Sequence, residues 1–343
     1  MQSSLITSFH SSTPRPLVSV IMAVYNGAAY LAEAIESALN QTYSNIELII
    51  VNDCSSDESV SIVTHYLSDG RITLFHNERN SGVAASRNRA LEHAKGEFIT
   101  FLDQDDIWLP RKLEIQVAVI QANPGIGLLH AGYARIDPNS ALLPAYRELP
   151  AERFSDPDAT VDVRDVFAEI FVTNDIQPLT TMIPREVMEV VGPFNAELPG
   201  VDDYELWLRI ALRYPVGHIQ TIVGYWRAHP GQQSNQGYRM LMIRLQALDQ
   251  ILKQYPEAES RVPRKAFRKR MHGMCAGAAN YTMYYLHDYL PARDLFARAL
   301  KYQLLDFPSW GKYAYCSLPT TLRDRLRKIK GLLKVGPTAN HGK

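Results

Sequence analysis

The first hundred residues alternate between short apolar runs and amphipathic stretches. VSVIMAV (Val18–Val24) is almost wholly apolar and stops at Tyr25-Asn26-Gly27, a turn signal, so it predicts a buried parallel strand. In the following AYLAEAIESALNQ, Leu31, Ile35 and Leu39 lie four apart on one helical face. A second buried strand, Ile46 to Val51, ends in Asn52-Asp53, and Asp57 is placed to cap a helix reaching Leu67. A third strand spans Ile72 to His76, Ser81-Gly82 opens a helix to about Ala94, and a fourth strand, Phe98 to Leu102, runs straight into Asp103. Such alternation argues for an α/β sheet with parallel strands. Ligands of such sheets sit beyond the carboxyl ends of the strands, where Asn26, Asp53 and Asp103 fall.

Beyond Gly125 the rhythm loosens. IGLLHAGYARI reads as a strand, Asp137 to Asp162 as a long Pro-rich and acidic loop, Leu179 to Ile183 as a short strand, Tyr204 to Leu212 as a helix and Val216 to Trp226 as a strand. The remainder reads as helices over Tyr238–Gln254, Lys265–Leu286, Leu290–Leu305 and Thr320–Lys334. Long loops beside a rigid sheet commonly bind substrate, which directs attention to 137–162 and to Asn174–Gly200.

Composition changes this picture at four points. No run approaches the roughly 18 uninterrupted apolar residues of a spanning helix. The opening MQSSLITSFHSSTPRP lacks a basic start followed by an apolar core, and reads as a flexible lead-in. Cys54, Cys275 and Cys316 match no zinc spacing, and their odd number fits a reducing cytoplasm. The zero net charge of the 343 residues conceals a split. Residues 1–235 hold 16 Lys+Arg against 29 Asp+Glu, a net −13, and residues 236–343 hold 20 against 7, a net +13. The acidic part suits a metal or a proton-transfer site. The basic part suits an anionic surface, and no nucleic-acid-binding motif accompanies it.

Five clusters carry chemistry. Asp103-Gln104-Asp105-Asp106 places three carboxylates in four residues, an oxygen set suited to Mg²⁺ or Mn²⁺ and equally to a solvated turn that caps a helix. Asp53 suits acceptance from a base N–H or ribose hydroxyl, or a turn before the next helix. Asn80-Ser81-Gly82 with Arg87 suits a phosphate at a helix start, or an ordinary surface helix; neither GxGxxG nor a Walker loop occurs there. Asp202-Asp203, with Trp207 and Arg209 on the helix behind, suits a general base of raised pKa, or acids at a helix N-terminus. His229, in YWRAH, suits a metal or phosphate contact, or a structural role.

In this order, the five clusters resemble those of the inverting nucleotide-sugar glycosyltransferases of family 2, which have the GT-A fold. VSVIMAVYNG with YLAEAIESALNQTYSNIELIIVNDCSSD resembles the family's N-terminal signature. NSGVAASRNRALEHAKGEFITFLDQDDIWLPRKLE resembles its central stretch, GVDDYELWLRIA its acid motif, and YWRAHPGQQS its closing motif. Departures are Ala23 for the usual proline, Asp202 for the usual glutamate, and Cys54 where a small residue is common.

The resemblance implies a Rossmann-like mixed sheet flanked by helices, with a helical C-terminal region. The implied division is a lead-in over 1–15, the GT-A domain over 16–235, a helical region over 236–335 and a tail over 336–343; the domain splits into a nucleotide-binding half, 16–124, and an acceptor half, 125–235. Asp203 matches the catalytic base, with Asp202 the alternative. Asp53 matches the acid that reads the nucleobase, commonly uracil; Arg87 matches a residue near the diphosphate or ribose. Asp103 and Asp105 match the DxD pair, with Asp105 the direct metal ligand and His229 a further one, and Val24, Asn26 and Asn80 complete the donor site. The implied reaction is transfer from a nucleotide-diphosphate sugar, commonly a UDP-sugar, to a glycan or lipid-linked acceptor, with Mn²⁺ or Mg²⁺, in surface polysaccharide or glycolipid synthesis. The competing expectations are a sugar-phosphate nucleotidyltransferase and a nucleotide-sugar-binding protein without turnover. The stretch Leu322–Lys334 holds six basic residues and one acid, with Leu322, Leu326, Ile329 and Leu333 on one helical stripe. It fits a terminal helix packing its stripe on the helical region, and equally a helix lying on an anionic membrane, which would place the protein in the cytoplasm at the inner face of the plasma membrane.

Overall fold

The computed structural model describes residues 15–232 and 237–332. The predicted lead-in up to Thr13-Pro14, Ser234 of the closing motif, and Leu333 with the tail beyond it lie outside the described residues. The described residues divide into two compact units, one of residues 15–170 and 174–232 and the other of 171–173 and 237–332.

The first unit contains β1 (Val18–Val24), α1 (Leu31–Leu39), β2 (Ile46–Asn52), α2 (Ser59–Tyr66), β3 (Ile72–His76), α3 (Val83–His93), β4 (Phe98–Phe101), β5 (Ile107–Trp108), α4 (Lys112–Ala122) and β6 (Leu128–Ile136). Then come α5 (Pro144–Arg147), β7 (Val161–Arg164), α6 (Phe167–Val172, whose end enters the other unit), β8 (Ile183–Pro184), α7 (Arg185–Val191), α8 (Asp202–Ala211) and β9 (Val216–Arg227). One sheet has the order β3-β2-β1-β4-β8, its first four strands parallel and β8 antiparallel. In the other, β9 pairs in parallel with β6 along one side and antiparallel with β5 and β7 along the other. One apolar cluster joins the sheets, with Val20, Met22 and Leu48 from the first and Leu129, Ile219 and Val223 from the second. The strand-helix alternation therefore gives the mixed sheet that the sequence predicts. Val18–Val24 and Ile72–His76 match their predicted bounds.

Four expectations are corrected. Pro178–Thr180 is a 3₁₀ turn, and only Ile183–Pro184 is strand. Thr180 and Thr181 turn their hydroxyls onto the carbonyls of Gln177 and Pro178, at 2.8 Å each, which favours a turn over an extended run. The 137–162 stretch is not all loop: it carries α5, and its last two residues begin β7. Asp57 stands one residue before the α2 cap, Glu58, and bonds the N–H groups of Ser59 and Ala28. Asp202 and Asp203 lie within the first turn of α8, not ahead of it.

Helix α4 has no clear amphipathic period, because it buries Lys112 and Gln116 along with Leu113, Ile115 and Val117. The fully buried Lys112 amine donates to Thr100 Oγ1 at 2.9 Å and Gln116 Oε1 at 2.7 Å, and lies 4.0 Å from the Trp108 ring centroid.

The second unit is helical: α9 (Gly237–Gln254), α10 (Ala258–Arg261), α11 (Arg264–Tyr284), α12 (Tyr289–Tyr302), α13 (Phe307–Ser317) and α14 (Thr320–Leu332). Helices α11 and α12 form a hairpin, and α13 packs on α12 around Phe296 and Cys316. Among the described residues, no helix is long and apolar enough to cross a membrane. The start of α14 is anchored by Arg323, which donates to the Cys316 carbonyl at 2.9 Å and lies over the Tyr289 ring.

Burial pushes the Lys112 amine well below the ordinary lysine range. The unfolded chain holds this proton up to about pH 10.4, so it binds more protons than the folded chain above the lowered value. Lys112 should therefore make stability rise with pH through that window. The test compares urea midpoints of wild type and Lys112→Met across neutral to alkaline pH. The wild-type midpoint should rise relative to that of the variant as pH rises; a constant difference would contradict it.

Candidate active site

The site forms where β1, β2 and β4 end side by side. After β1 the chain turns through Asn26 at φ +48°, and after β2 through Cys54 at φ +64°. That left-handed conformation explains why a small residue suits position 54. The turns are tied together. Asn26 Oδ1 accepts the Ser56 N–H at 2.8 Å, and the Val24 carbonyl accepts the Asp53 N–H at 2.7 Å. Tyr25 and Gln104 exchange two bonds: the Tyr25 N–H donates to Oε1 at 2.8 Å, and Nε2 donates to the Tyr25 carbonyl at 3.1 Å. A Cβ on Gly27 would come within 2.3 Å of Gln104, so glycine is what admits this clip. Gln104 was not among the predicted site residues.

Asp53 is buried and accepts three bonds: from Asn77 Nδ2 at 2.7 Å, the Ser81 N–H at 2.8 Å and the Gly82 N–H at 2.8 Å. It thus holds the entrance of α3, whose cap Gly82 sits at φ +87°. A carboxylate has about four lone-pair sites, so one acceptor position is left over. Asn80 is exposed on that same entrance.

From α3, Arg87 reaches inward. Its Nη2 lies 2.6 Å from Asp103 Oδ1 and its Nη1 lies 3.2 Å from Asp202 Oδ2. Its guanidinium lies 5.7 Å from the Phe101 ring centroid and 5.4 Å from that of Phe194. Burial would lower its pKa, but Asp103, Asp202 and Asp203 together raise it. One buried cation thereby brings the acid cluster after β4 to the acids of α8.

Asp202 is buried, with Oδ1 accepting the Gly200 N–H at 3.1 Å. Burial raises its pKa and Arg87 opposes the rise. Asp203 accepts the N–H of Tyr204 at 2.6 Å. Burial, and then the neighbouring Asp202 charge, push its carboxyl up to about 7. Helix α8 is held in place by the buried Glu205–Arg209 pair at 2.8 Å and by Arg209 Nη2 on the Pro193 carbonyl at 2.7 Å.

Asp103 to Asp106 form a tight turn, closed by the Asp106 N–H on the Asp103 carbonyl. Asp105 Oδ2 lies 2.9 Å from His229 Nε2, so the structure unites two residues 124 apart in sequence. Burial and then Asp103 raise the Asp105 pKa against His229, and burial with Asp105 and Asp103 raises that of Asp106 well above the ordinary range. Arg227 secures this turn, donating from its N–H to Asp106 Oδ1 at 3.0 Å and from Nε to the Asp105 carbonyl at 2.8 Å. Its fully buried guanidinium also pairs with Glu33 of α1, donates to Ser140 Oγ at 2.9 Å and lies over the Tyr30 ring. Arg227 was missed from sequence, where it stands unmarked between the motif residues Trp226 and His229.

Among the described residues, no three His, Cys, Asp or Glu side chains converge into a closed metal cage. The residues nonetheless fit an open site. Asp105 and His229 offer an oxygen and a nitrogen at one point, beside the carboxyl groups of Asp103 and Asp106. Mg²⁺-type sites commonly use one or two carboxylates and complete the shell with water and substrate phosphate.

Fold and site together define a glycosyltransferase of the GT-A type. Residues 19–169 match the model described as glycosyl transferase family 2. A beta-1,3-glucosyltransferase of Escherichia coli, WfgD, whose name gives UDP-Glc and alpha-D-GlcNAc-diphosphoundecaprenol, is 36% identical over 194 residues, covering 57% of this chain and 69% of that one. A Rickettsia felis glycosyltransferase is 34% identical over 224 residues, or 64% of this chain, but the match spans only 35% of that longer protein. The chain belongs to glycosyl transferase family 2. Two solved structures share the fold: Staphylococcus aureus TarS 1–349 in complex with UDP-GlcNAc, with TM-score 0.56, 18% identity and 91% of each chain covered, and the mannosyltransferase PcManGT of Pyrobaculum calidifontis in complex with GDP-Man and Mn²⁺, with TM-score 0.54, 21% identity and 93% and 88% covered.

Removing Arg87 would leave Asp103 and Asp202 facing each other without their cation. Arg87→Ala should lower stability by roughly 3–5 kcal/mol, read from urea denaturation. Arg87→Lys should recover little of it, because a point charge cannot bridge both carboxylates with a planar fork.

Proposed function

We propose that this chain is an inverting, metal-dependent glycosyltransferase that moves a sugar from a UDP-sugar to a hydroxyl of a glycan or lipid-linked acceptor, in surface polysaccharide or glycolipid synthesis. The observation that carries this reading is the Arg87 bridge, which sets the Asp103–Asp106 turn and the Asp202-Asp203 pair around one point. The names of WfgD and of the TarS complex support the donor and acceptor classes.

Asp203 is the proposed base. A carboxyl at about 7 is half ionised near neutral pH, strong enough to take a proton from the acceptor hydroxyl and still largely available. As that proton moves to Asp203, the acceptor oxygen bonds the anomeric carbon from the face opposite the diphosphate. The bond from that carbon to the phosphate oxygen breaks, and its electron pair leaves with the nucleoside diphosphate. A single displacement of this kind inverts the configuration. Mn²⁺ or Mg²⁺ held by Asp105 and His229 would offset the charge growing on the leaving diphosphate. Asp103 and Arg87 hold the turn that presents Asp105, and Val24, Asn26 and Asn80 form the donor wall. Asp53 shapes the turn against which the base sits and uses its remaining acceptor position for a base N–H. The loops within 137–162 and 174–200 choose the acceptor, and the cytoplasm is the proposed compartment.

Four outcomes test this reading. Screening nucleotide-sugars should find one from which the protein releases free nucleoside diphosphate; release of pyrophosphate would identify a nucleotidyltransferase. Activity should vanish with a chelator and return with Mn²⁺ or Mg²⁺, and Asp105→Ala should abolish it. The base must be ionised, so kcat/KM should climb as pH rises through about 7. In Asp203→Asn turnover should fall by about two orders of magnitude or more, with donor affinity nearly kept. An active Asp203→Asn beside an inactive Asp202→Asn would move the role to the neighbour.

A further inference from the structure

In the helical unit, the turn between α12 and α13, together with the first turn of α13, presents apolar side chains to solvent. Leu304 is 63% exposed, Leu305 76%, Phe307 75% and Trp310 42%. This is not a loose end. Trp310 Nε1 donates to the Leu304 carbonyl at 2.8 Å and closes the turn on itself. Asp306 Oδ2 lies 2.9 Å from His272 Nε2 on α11, and Arg268 Nε donates to the Tyr302 carbonyl at 2.8 Å. The turn is therefore fixed beside the first half of α11 with its apolar side chains outward. Isolated exposed apolar residues are ordinary; four within seven positions on a braced turn are not.

The neighbouring stretch adds charge of one sign. Arg261 to Arg270 holds six basic residues and no acid. Arg264 and Lys265 begin α11, whose first turn has no acidic residue, and both are exposed, as is Lys269. Cations at a helix N-terminus oppose the helix dipole, so the stability of α11 does not explain them. In the turn itself, Asp306 is paired with His272.

We infer that the Leu304–Trp310 turn and the basic first half of α11 form a docking surface for an anionic lipid bilayer. Leucine and phenylalanine enter the acyl boundary, the tryptophan sits at headgroup depth, and the flanking lysines and arginines meet anionic headgroups. This inference stands apart from the glycosyltransferase reading. It also uses residues other than the α14 stripe, of which Leu333 lies outside the described residues.

The test is co-sedimentation of the full chain with phosphatidylcholine vesicles, with and without phosphatidylglycerol, at low and high salt. Binding should require the anionic lipid, weaken with salt, and shift tryptophan emission to the blue. Leu305→Ser with Phe307→Ser should weaken binding about tenfold or more, with the thermal melt unchanged because both side chains are exposed. Lys265→Glu with Lys269→Glu should reduce the salt-sensitive part, leaving nucleoside diphosphate binding as it was. Absence of vesicle binding would overturn the inference. So would binding that ignores the Leu305/Phe307 pair yet disappears with Arg327→Glu and Lys328→Glu in α14. Self-association lost in the Leu305/Phe307 variant, without vesicle binding, would instead identify a second copy as the occupant.

Discussion

The candidate site depends on compensating negative charge that the fold itself concentrates. Parallel strands β1, β2 and β4 end at one edge, and α8 adds two more acids. Asp103, Asp202 and Asp203 cannot share a partly buried space as anions without a cation among them. Arg87 is that cation, and its planar fork lets one side chain serve two carboxylates from different parts of the chain. The Phe101 and Phe194 rings beside it, with the reciprocal Asn88–Phe194 bonds at 2.8 Å, hold it in position. Geometry and charge balance at the site are thus one property.

Arg227 plays the corresponding part on the side of the second sheet. It leaves the end of β9 buried and reaches the Asp105 backbone and Asp106 side chain, Glu33 of α1 and Ser140 of the loop after β6. The turn after β4 is therefore held by Gln104 to β1, by Arg87 to α3 and α8, and by Arg227 to β9. Asp105, with His229 against it, is left at the centre of a braced turn. For the metal-binding role proposed for Asp105 such bracing matters, since a turn that collapsed or splayed with its own repulsion would not keep its side chains in place.

Asp53 and Asp103 were legible in the sequence because each follows an apolar run, and strand ends are where such sheets expose side chains. Val24, Asp53, Asp103 and the Asp202-Asp203 pair could be placed at element boundaries by pattern alone. What could not be read was partnership. Arg87 stands 16 residues from Asp103 and 115 from Asp202, and neither separation corresponds to a helical or strand repeat. The expectation from sequence aimed it at phosphate; in the fold both terminal nitrogens are engaged by carboxylates. Arg227 and Gln104 carry no local signal, since their partners are distant in the chain. Helix α4 was unread for a related reason: a helix that buries a lysine and a glutamine among aliphatic residues shows no polar face.

The paired acids of α8 show how one arginine divides roles between neighbours. Asp202 faces Arg87 directly, with its other oxygen on the Gly200 N–H, so its ionised form is bonded on both sides. Asp203 receives the reverse influence: the charge retained on Asp202 stands beside it, and burial removes the water that would soften the repulsion. The two chemically identical groups are placed differently: burial raises both carboxyls, but Asp202 is tied into the frame by Arg87 and Asp203 is brought to about 7. Such a split favours Asp203 as the group that exchanges a proton. It also makes Arg87 a determinant of basicity at a residue it does not bond, because removing the arginine would loosen the hold on the charge of Asp202 and change the field at Asp203.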